Sequence, residues 1–465
     1  MKRLRHVLIV TAIAFGIMAA GAPPGVAQSE PTLSVTSYLS DTSKRSPEET
    51  FKRLKLGAPP NSLGLTETPK PPGRGDVRRT GPAALGNEFV HAATGDTSVS
   101  HGISPRVVDP VKRTMTLSEC KAHTANDASM WIASRFAMCE SRWFAAEWKK
   151  NNKVVGFSQM TVTAIGTIPA GSRDVQFDYH FSDFYASGVN AIDETLVGPD
   201  ANYVIVPSGI KLNQGGLDPG PQTVAKLKKD PHFMISRRAD PGQGIAPDDG
   251  IWAVWNMKFE PEYPAPWAET NPVADWKFSS FGIRWDNSAY LPNYNPADVL
   301  HTGGATFSYD VSPLRYSTAA TSEEKGVALH VKKAFSQPQS TMPKNPSKKV
   351  AGQSASDPLH RLQKGLGQTN LNRYNANRRE AVKVCTSVDP DYAKKGLECD
   401  EYPFASTYEG SAQSIYEPAK PKNNFSALAI PAAENGKGGS QLATYYNNNR
   451  IIDGDKDEFY VIIIP

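Results

Sequence analysis

The alternation of hydrophobic and polar residues predicts a β-rich stretch in the middle of the chain. Met160 to Ile168 and Val175 to Phe181 alternate apolar or small side chains with polar ones, and Trp252 to Phe259 partly repeats the pattern. A period of two is typical of half-buried β-strands. Turn signals such as Asp218-Pro-Gly separate the runs. We therefore predict a β-rich, sandwich-like domain over residues 112–316.

The C-terminal part of the chain mixes helical and extended patterns. The first helix has apolar positions that can face inward, while its arginines face water. The last strand is a continuous apolar run, which suits a buried position. Together the elements predict an α+β domain over residues 358–465. The predicted elements are a helix, two strands, a helix and a strand, at residues 375–384, 402–405, 425–430, 438–446 and 459–464.

Three further segments lie outside these two domains. Residues 1–27 combine a basic start, an apolar run and small residues before Ala27, which predicts a signal peptide cleaved after Ala27; the alternative is an uncleaved membrane anchor. Residues 28–111 are rich in Pro, Ser, Thr and Gly and suggest a linker or propeptide. Residues 317–357 are polar and suggest an interdomain linker. The mature protein is thus expected to be secreted, without membrane contact.

The four cysteines form two local pairs, Cys120 with Cys139 and Cys385 with Cys399. Four cysteines allow three connectivities, and in an exported protein local disulfides are favoured. Neither pair has the C-x-x-C spacing of a zinc or redox motif.

Charge is distributed unevenly, although the net charge of the 465 residues is only +4. Basic residues prevail between Lys344 and Lys395, and the balance turns acidic after Glu398. A basic face beside carboxylates suits an enzyme that acts on a polyanion, because it attracts phosphates. An ordinary solvated surface is the alternative.

Candidate chemistry is concentrated in an acidic block. Asp400 and Glu401 are adjacent, and because neighbouring carboxylates repel, the pair needs a metal ion, a basic residue or a proton as partner. Glu409 follows closely, and Glu434-Asn435 precede a glycine-rich segment at the predicted start of a helix. Carboxylate and amide oxygens suit Mg²⁺ or Mn²⁺, and backbone N–H groups at a helix start can receive a phosphate oxygen.

These segments in this order resemble the NucA/NucB family of secreted bacterial deoxyribonucleases, over roughly Ala381 to Ile464. The family has an Asp-Glu-aromatic-Pro block followed by Glu-Gly, then an acid-Asn-x-x-x-Gly segment and a closing strand. Glu434 departs from the family's usual Asp. The matching blocks are Cys399 to Ala405 with Glu409-Gly410, Ala433 to Ser440, and Arg450 to Val461.

The resemblance implies a metal-dependent endonuclease on a ββα-metal core, in which two strands and a helix hold one divalent cation, Mg²⁺ or Mn²⁺. Family members use a carboxylate in place of the histidine base, which fits a domain whose sole histidine within residues 358–465, His360, lies far from the acidic block. The roles carried over are catalytic for Asp400, Glu401 and Glu409, metal-binding for Asp400, Glu409 and Asn435, and substrate-binding for Lys437 and Arg450.

The expected function is therefore hydrolysis of phosphodiester bonds in extracellular DNA. No base-reading motif is visible, so contacts to phosphates should dominate and cleavage should tolerate most sequences. Two alternatives remain open: a non-enzymatic cell-surface or polymer-binding protein with a degenerate nuclease domain, and a phosphodiesterase that acts on RNA or a small phosphoester. The β-domain is either the binding site of an unidentified ligand, with its tryptophans as a platform, or an inhibitor of the nuclease, or neither.

Overall fold

The structure is a computed structural model of the chain. It describes residues 31–40, 45–66, 112–124, 130–215, 219–270, 276–292, 303–308 and 311–465. The predicted signal peptide lies outside the described residues. Within the described ranges, no helix is long and apolar enough to cross a membrane.

The N-terminal part of the described chain is dominated by strands. Three short helices accompany them: α1 (Pro47–Lys55), α2 (Leu117–Thr124) and α3 (Val224–Lys229). The strands are β1 (Leu33–Ser40), β2 (Leu65–Thr66), β3 (Trp131–Ser134), β4 (Ala137–Lys150), β5 (Lys153–Thr167), β6 (Val175–Ser187), β7 (Leu196–Val206), β8 (Leu212–Gly215), β9 (Gln222–Thr223), β10 (His232–Ala239), β11 (Ile251–Glu262), β12 (Ala268–Glu269), β13 (Trp276–Asp286) and β14 (Gly304–Phe307). The 3₁₀ turns here are Pro60–Leu63 and Asn190–Glu194.

Two sheets form the sandwich-like domain that the alternation predicts. One sheet follows the order β12-β1-β4-β5-β6-β10-β8, and the other follows β14-β13-β11-β7-β9. Inward-facing aromatic residues of β6 meet the second sheet, with ring centroids 5.4 Å apart for Phe177 and Phe281 and 5.2 Å for Tyr179 and Phe259. The tryptophans buried in this domain are Trp148, Trp252, Trp255, Trp276 and Trp285. These five contribute to cores and do not form an exposed platform.

Part of the predicted linker, residues 28–111, belongs to the sandwich. Strand β1 pairs with β4 from Leu33 to Leu39, and Val35 is fully buried. Five successive residues of β1 are buried, because α1 and β2 pack on one face while the main core covers the other. Burial on both faces removes the two-residue alternation from which a strand is recognised.

The C-terminal domain has helices and strands at or near four of the five predicted positions, together with additional elements. The strand expected at residues 402–405 instead spans Leu397–Tyr402 and overlaps the prediction only at Tyr402. Its elements are β15 (Ser312–Ser317), α4 (Lys325–Ser336), β16 (Leu359–His360), α5 (Gln368–Val388), β17 (Leu397–Tyr402), α6 (Gln413–Tyr416), β18 (Ser426–Pro431), α7 (Ala432–Asn448) and β19 (Glu458–Ile464). The 3₁₀ turns are Pro338–Ser340, Lys364–Leu366 and Tyr392–Lys395. Strand β19 lies between β15, which runs parallel to it, and β16, which runs antiparallel.

The largest difference between prediction and structure concerns residues 317–357, which were predicted to be an interdomain linker. This segment contains α4, whose Val327, Ala328 and Val331 are buried in the same core as Tyr445 and Phe459. The apolar residues of α4 recur at helical spacing, but exposed lysines between them give the segment a polar composition. The C-terminal domain therefore begins near residue 311, and this segment is part of its core.

Both predicted cysteine pairs are disulfide-bonded. The Cα atoms of Cys120 and Cys139 are 6.0 Å apart, and those of Cys385 and Cys399 are 5.9 Å apart. The second bond joins α5 to β17, the strand that carries the acidic block.

A buried network of charges joins the two domains. Asp457 of the C-terminal domain contacts Arg284 and, at 2.8 Å, Arg135 of the sandwich. Arg450 contacts Asp286 at the end of β13, with its Nε 3.2 Å from the carboxylate. Burial by itself raises the pKa of Asp286, but the positive charges of Arg450 and other arginines outweigh it and hold that pKa below its usual range. All five side chains are buried. This part of the domain interface is thus closed to solvent, and each carboxylate in it contacts at least one arginine.

Candidate active site

Strands β17 and β18 form a two-stranded antiparallel sheet, and α7 follows β18 without an intervening loop. This arrangement is the ββα unit that the resemblance implies. Asp400 and Glu401 lie next to each other on β17 and are only 6% and 8% exposed. Because successive strand residues point to opposite faces, the two carboxylates leave the strand in different directions. Each has a different partner, His330 for Asp400 and Arg378 for Glu401.

Asp400 is held by a histidine on α4. The Nδ1 atom of His330 lies 2.7 Å from the Asp400 carboxylate, and its Nε2 atom lies 2.7 Å from the hydroxyl of Ser426 on β18. His330 is 2% exposed. A ring fixed at both nitrogens fixes the direction of the carboxylate that it contacts.

Glu401 points toward α5, where the guanidinium of Arg378 donates a hydrogen bond to it. The backbone N–H of Ala405 donates a second, at 3.3 Å. Burial raises the pKa of Glu401 to about 7, Arg378 opposes this rise, and the negative charge of Asp400 adds to it. A carboxylate with a pKa near neutral can accept and release a proton at physiological pH.

Both carboxylates line one pocket that opens to solvent between α4, α5, β17 and α7. It encloses about 900 Å³, including its mouth. Tyr374 and Arg378 lie one helical turn apart on α5, and both face it. The lining residues are Tyr316, Val327, Tyr374, Arg378, Asp400, Glu401, Phe404, Ala405, Ser406, Asn435, Gly436, Gly438, Gly439 and Leu442.

Helix α7 forms one wall of the pocket. Asn435 donates a hydrogen bond to Glu398 at 2.8 Å, which leaves its amide oxygen available as a ligand. A side chain at Gly438 would collide with Val327 of α4, so a glycine is needed where the two helices meet. Gly436 and Gly439 have open space beside them, so no side chain projects from the pocket wall at these two positions. The glycines lie inside α7, which begins at Ala432 and not at the predicted Gly438, so they are not the phosphate-binding helix start that we expected.

Glu409 does not reach this pocket. Its carboxylate accepts hydrogen bonds from the backbone N–H of His360 at 3.0 Å and from its ring Nδ1 at 2.8 Å. Burial by itself lowers the pKa of His360, but hydrogen bonds to Glu409 and Glu458 outweigh it and raise that pKa to about 10. The structure therefore separates Glu409 from Asp400 and pairs it with a histidine.

The two predicted substrate-binding residues also lie elsewhere. Lys437 is exposed and forms an ion pair with Glu323 at 3.1 Å. Arg450 is buried in the domain interface described above. Glu434, the departure from the family pattern, accepts a hydrogen bond from the backbone N–H of Gly326 in the first turn of α4. A negative charge there stabilises the helix start.

The pocket suits a hard divalent cation. Asp400, Glu401 and Asn435 present carboxylate and amide oxygens, and Mg²⁺ typically takes only one or two protein carboxylates beside water and substrate phosphate. Within the described part of the chain, no three His, Cys, Asp or Glu side chains of this pocket converge closely enough to hold an ion alone. The donor set thus fits a cation that is completed by the substrate.

Two residues of the site do not follow from sequence reasoning. His330 lies in the segment expected to be a linker, and only the helical spacing of the apolar residues around it could have indicated its burial. Arg378 lies in the predicted helix of the basic stretch, with no feature that distinguishes it from the neighbouring Arg379. What distinguishes Arg378 is its position on α5 opposite β17, which brings its guanidinium to Glu401.

Residues 349–462 match the model of the family described as deoxyribonuclease NucA/NucB. Strand β15 and helix α4, with His330, lie outside the matched range. No curated protein and no solved structure shows a significant match.

Proposed function

The C-terminal domain belongs to the deoxyribonuclease NucA/NucB family, and from this premise we propose that the protein is a secreted, metal-dependent endonuclease of DNA. One observation carries the proposal at atomic level. Two buried carboxylates, Asp400 and Glu401, line a solvent-open pocket, and the pKa of Glu401 is raised to about 7. A carboxylate with a strongly raised pKa that lines an open pocket is typical of functional sites.

Glu401 is the proposed proton acceptor. Its pKa near 7 makes the carboxylate a competent general base at neutral pH, where it would take a proton from the attacking water. Asp400 is less suited to that role, because His330 occupies its carboxylate. This assigns the proton transfer to one member of the acidic pair.

Arg378 is the proposed phosphate-binding residue, in place of Lys437 and Arg450. Its guanidinium lines the pocket, its side chain is 38% exposed, and it pairs with Glu401. An incoming phosphate would compete for the same guanidinium, which binds such oxygens through paired donors. Loosening of the ion pair would raise the basicity of Glu401 when substrate arrives.

Asp400 and Asn435 are the proposed ligands of Mg²⁺ or Mn²⁺. When bound, such an ion acts as a Lewis acid on phosphoryl oxygens and stabilises developing negative charge. His330 and Ser426 would keep the Asp400 carboxylate oriented toward the pocket. Glu409 has no part in this set, because it does not line the pocket.

Secretion is proposed from the predicted signal peptide and supported by the two disulfides. Disulfides persist in oxidising compartments outside the cytosol. DNA is the proposed substrate because of the family, and recognition would rest on phosphate contacts.

A plasmid-nicking assay with Mg²⁺ or Mn²⁺ tests the proposal. Glu401→Gln should lower the cleavage rate by roughly 10²–10⁴-fold, the usual contribution of a general base. Glu380→Gln on the exposed side of α5 is the matched control and should cut normally. A folded Glu401→Gln protein that cuts at the normal rate would remove Glu401 from the mechanism.

The same assay separates the two alternative functions. Cleavage that persists in EDTA would exclude metal dependence, and cleavage of RNA alone would favour the phosphodiesterase. No cleavage of either polymer with any divalent cation would favour a non-enzymatic binding protein.

A further inference from the structure

Three potential metal ligands share the outer face of the larger sheet of the sandwich. Asp178 and His180 are two residues apart on β6 and therefore point to the same side. His232 of β10 lies directly opposite His180 in the antiparallel register. Phe177, Tyr179 and Phe181 point the other way, into the core. Register and alternation thus bring two imidazoles and a carboxylate together.

The side chains converge on the carboxylate. One ligand atom from each of the three residues lies within 4.8 Å of the other two. The Nε2 atom of His180 is 3.2 Å from Oδ2 of Asp178, and Nε2 of His232 contacts Oδ1. The two ring centroids are 4.8 Å apart. Each imidazole therefore presents its Nε2 atom to the same point.

The cluster is polar, accessible and incompletely satisfied. The side chains of Asp178, His180 and His232 are 34%, 24% and 49% exposed. Oδ1 of Asp178 is nevertheless screened from solvent, and its contact with the His232 ring is an ion pair without hydrogen-bond geometry. A polar atom of this kind lacks the partner that buried oxygens usually have.

We propose that Asp178, His180 and His232 bind a divalent transition-metal ion of the Zn²⁺ class. Imidazole nitrogen and carboxylate oxygen are the usual ligands of such ions, at about 2.0–2.2 Å. Binding of the ion releases the proton of each Nε2 atom that carries one, because a metal ion is ligated by the deprotonated imidazole nitrogen. Three protein ligands leave the fourth position to water or to a ligand from solution.

The surroundings favour this class of ion over Mg²⁺. Mg²⁺ prefers oxygen ligands, whereas two of the three groups here are nitrogens. Met234 lies opposite Asp178 in the register, so its thioether stands on the same face, and it is 44% exposed. Two opposite charges meet at Ser182 on this face, since both Lys121 and Asp183 contact its hydroxyl. Their effects on a bound cation therefore largely offset.

This site is separate from the proposed nuclease site. All of its residues belong to the sandwich, and every residue that lines the nuclease pocket belongs to the C-terminal domain. The sandwich thereby acquires a binding function of its own, for a metal and for whatever fills the open coordination position.

Titration of the full-length protein with Zn²⁺ tests the proposal. Calorimetry in excess Mg²⁺, which occupies hard oxygen sites, should show about one equivalent of bound Zn²⁺. His180→Gln and His232→Gln should each weaken binding at least tenfold, since loss of even an outer-shell partner costs about 10–100-fold. The double variant should bind no Zn²⁺ at this site. Circular dichroism would show that the variants keep the sheet.

Two controls make the result decisive. His123→Gln removes an exposed histidine of the same domain that stacks on Trp131, and binding should be unchanged. Asp400→Asn alters the nuclease pocket and should also leave Zn²⁺ binding intact. Absence of Zn²⁺ binding, undiminished binding in the double histidine variant, or loss of binding in Asp400→Asn alone would each overturn the proposal.

Discussion

In the proposed mechanism, Glu401 and Arg378 together set the pH dependence of cleavage. If Glu401 is the base, kcat/KM should rise as the pH increases through about 7, because only the ionised carboxylate accepts a proton. Arg378→Gln removes a charge that lowers this pKa, so the acid limb should move to higher pH, by roughly one pH unit. Rate profiles between pH 5 and 9 would measure both. An acid limb that stays in place or moves down in the variant would contradict the assignment.

His330 acts on the pocket through Asp400. His330→Gln should raise the Mg²⁺ concentration needed for half-maximal cleavage by about 10–100-fold, as expected when a residue that orients a metal ligand is lost. Titration of activity with Mg²⁺ gives this readout, which a purely structural role would not change. Ser426→Ala, which removes only the outer contact of the ring, should have a smaller effect. An unchanged Mg²⁺ requirement in a folded His330→Gln protein would refute the positioning role.

Sequence reasoning identified part of this site and missed its partners for a physical reason. Asp400, Glu401 and Asn435 do line one pocket, and they lie in segments that stand out by their composition. His330 is 70 positions away from Asp400 along the chain, and only folding brings the two together. Arg450 was assigned to the substrate through the family resemblance, and no local pattern shows that a cation will be buried against another domain.

At the scale of elements, the Cys385–Cys399 bond ties α5 to β17, and thus Arg378 to Glu401. Replacing both cysteines by Ser should cost about 3 kcal/mol of unfolding free energy, the loop-entropy value for a loop of this size. Cleavage should also decrease if Glu401 and Arg378 act as proposed, because α5 and β17 each carry one partner of this ion pair. Urea unfolding and nicking rates would measure the two effects.

The Cys120–Cys139 bond provides the comparison. It lies in the sandwich, so its removal should lower stability and leave the cleavage rate of the folded protein unchanged. Equal loss of cleavage rate from the two replacements would show that the bond beside Asp400 has no special role in the pocket.

Elements with strong periodicity were predictable, whereas one strand buried on two faces and one helix masked by polar residues were not. Strand β6 alternates as predicted. Strand β5 lies where its pattern predicts but is buried on both faces, and the apolar run of β19 is a strand that is only partly buried. Strand β1 and helix α4 were not predicted, because double burial removes alternation in one and exposed lysines dominate the composition of the other. The start of α7 was placed too late, since its glycines suggest a loop where the helix packs against α4.

At the scale of the molecule, the C-terminal domain needs more chain than its family match. A fragment of residues 358–465 lacks β15 and α4, which supply a neighbour of β19 and part of the core. We expect it to show no cooperative thermal transition and no cleavage, whereas residues 311–465 should retain both. Circular dichroism melts and the nicking assay would measure this. Normal activity of the shorter fragment would show that β15 and α4 are dispensable.

Two domains were predicted from the sequence because the hydrophobic period changes from two to that of helices. The boundary was not visible, since it depends on contacts between β15 and β19, which lie at opposite ends of the C-terminal domain.

The buried arginine–aspartate network between the domains has a mechanical consequence. A domain interface of this kind is costly to open, because separating the domains would leave buried charges without their partners. The two domains should therefore tumble in solution as one rigid body, with the mouth of the pocket in a fixed orientation relative to the sandwich. Any surface that captures the sandwich would then also set the direction from which a strand of DNA must approach.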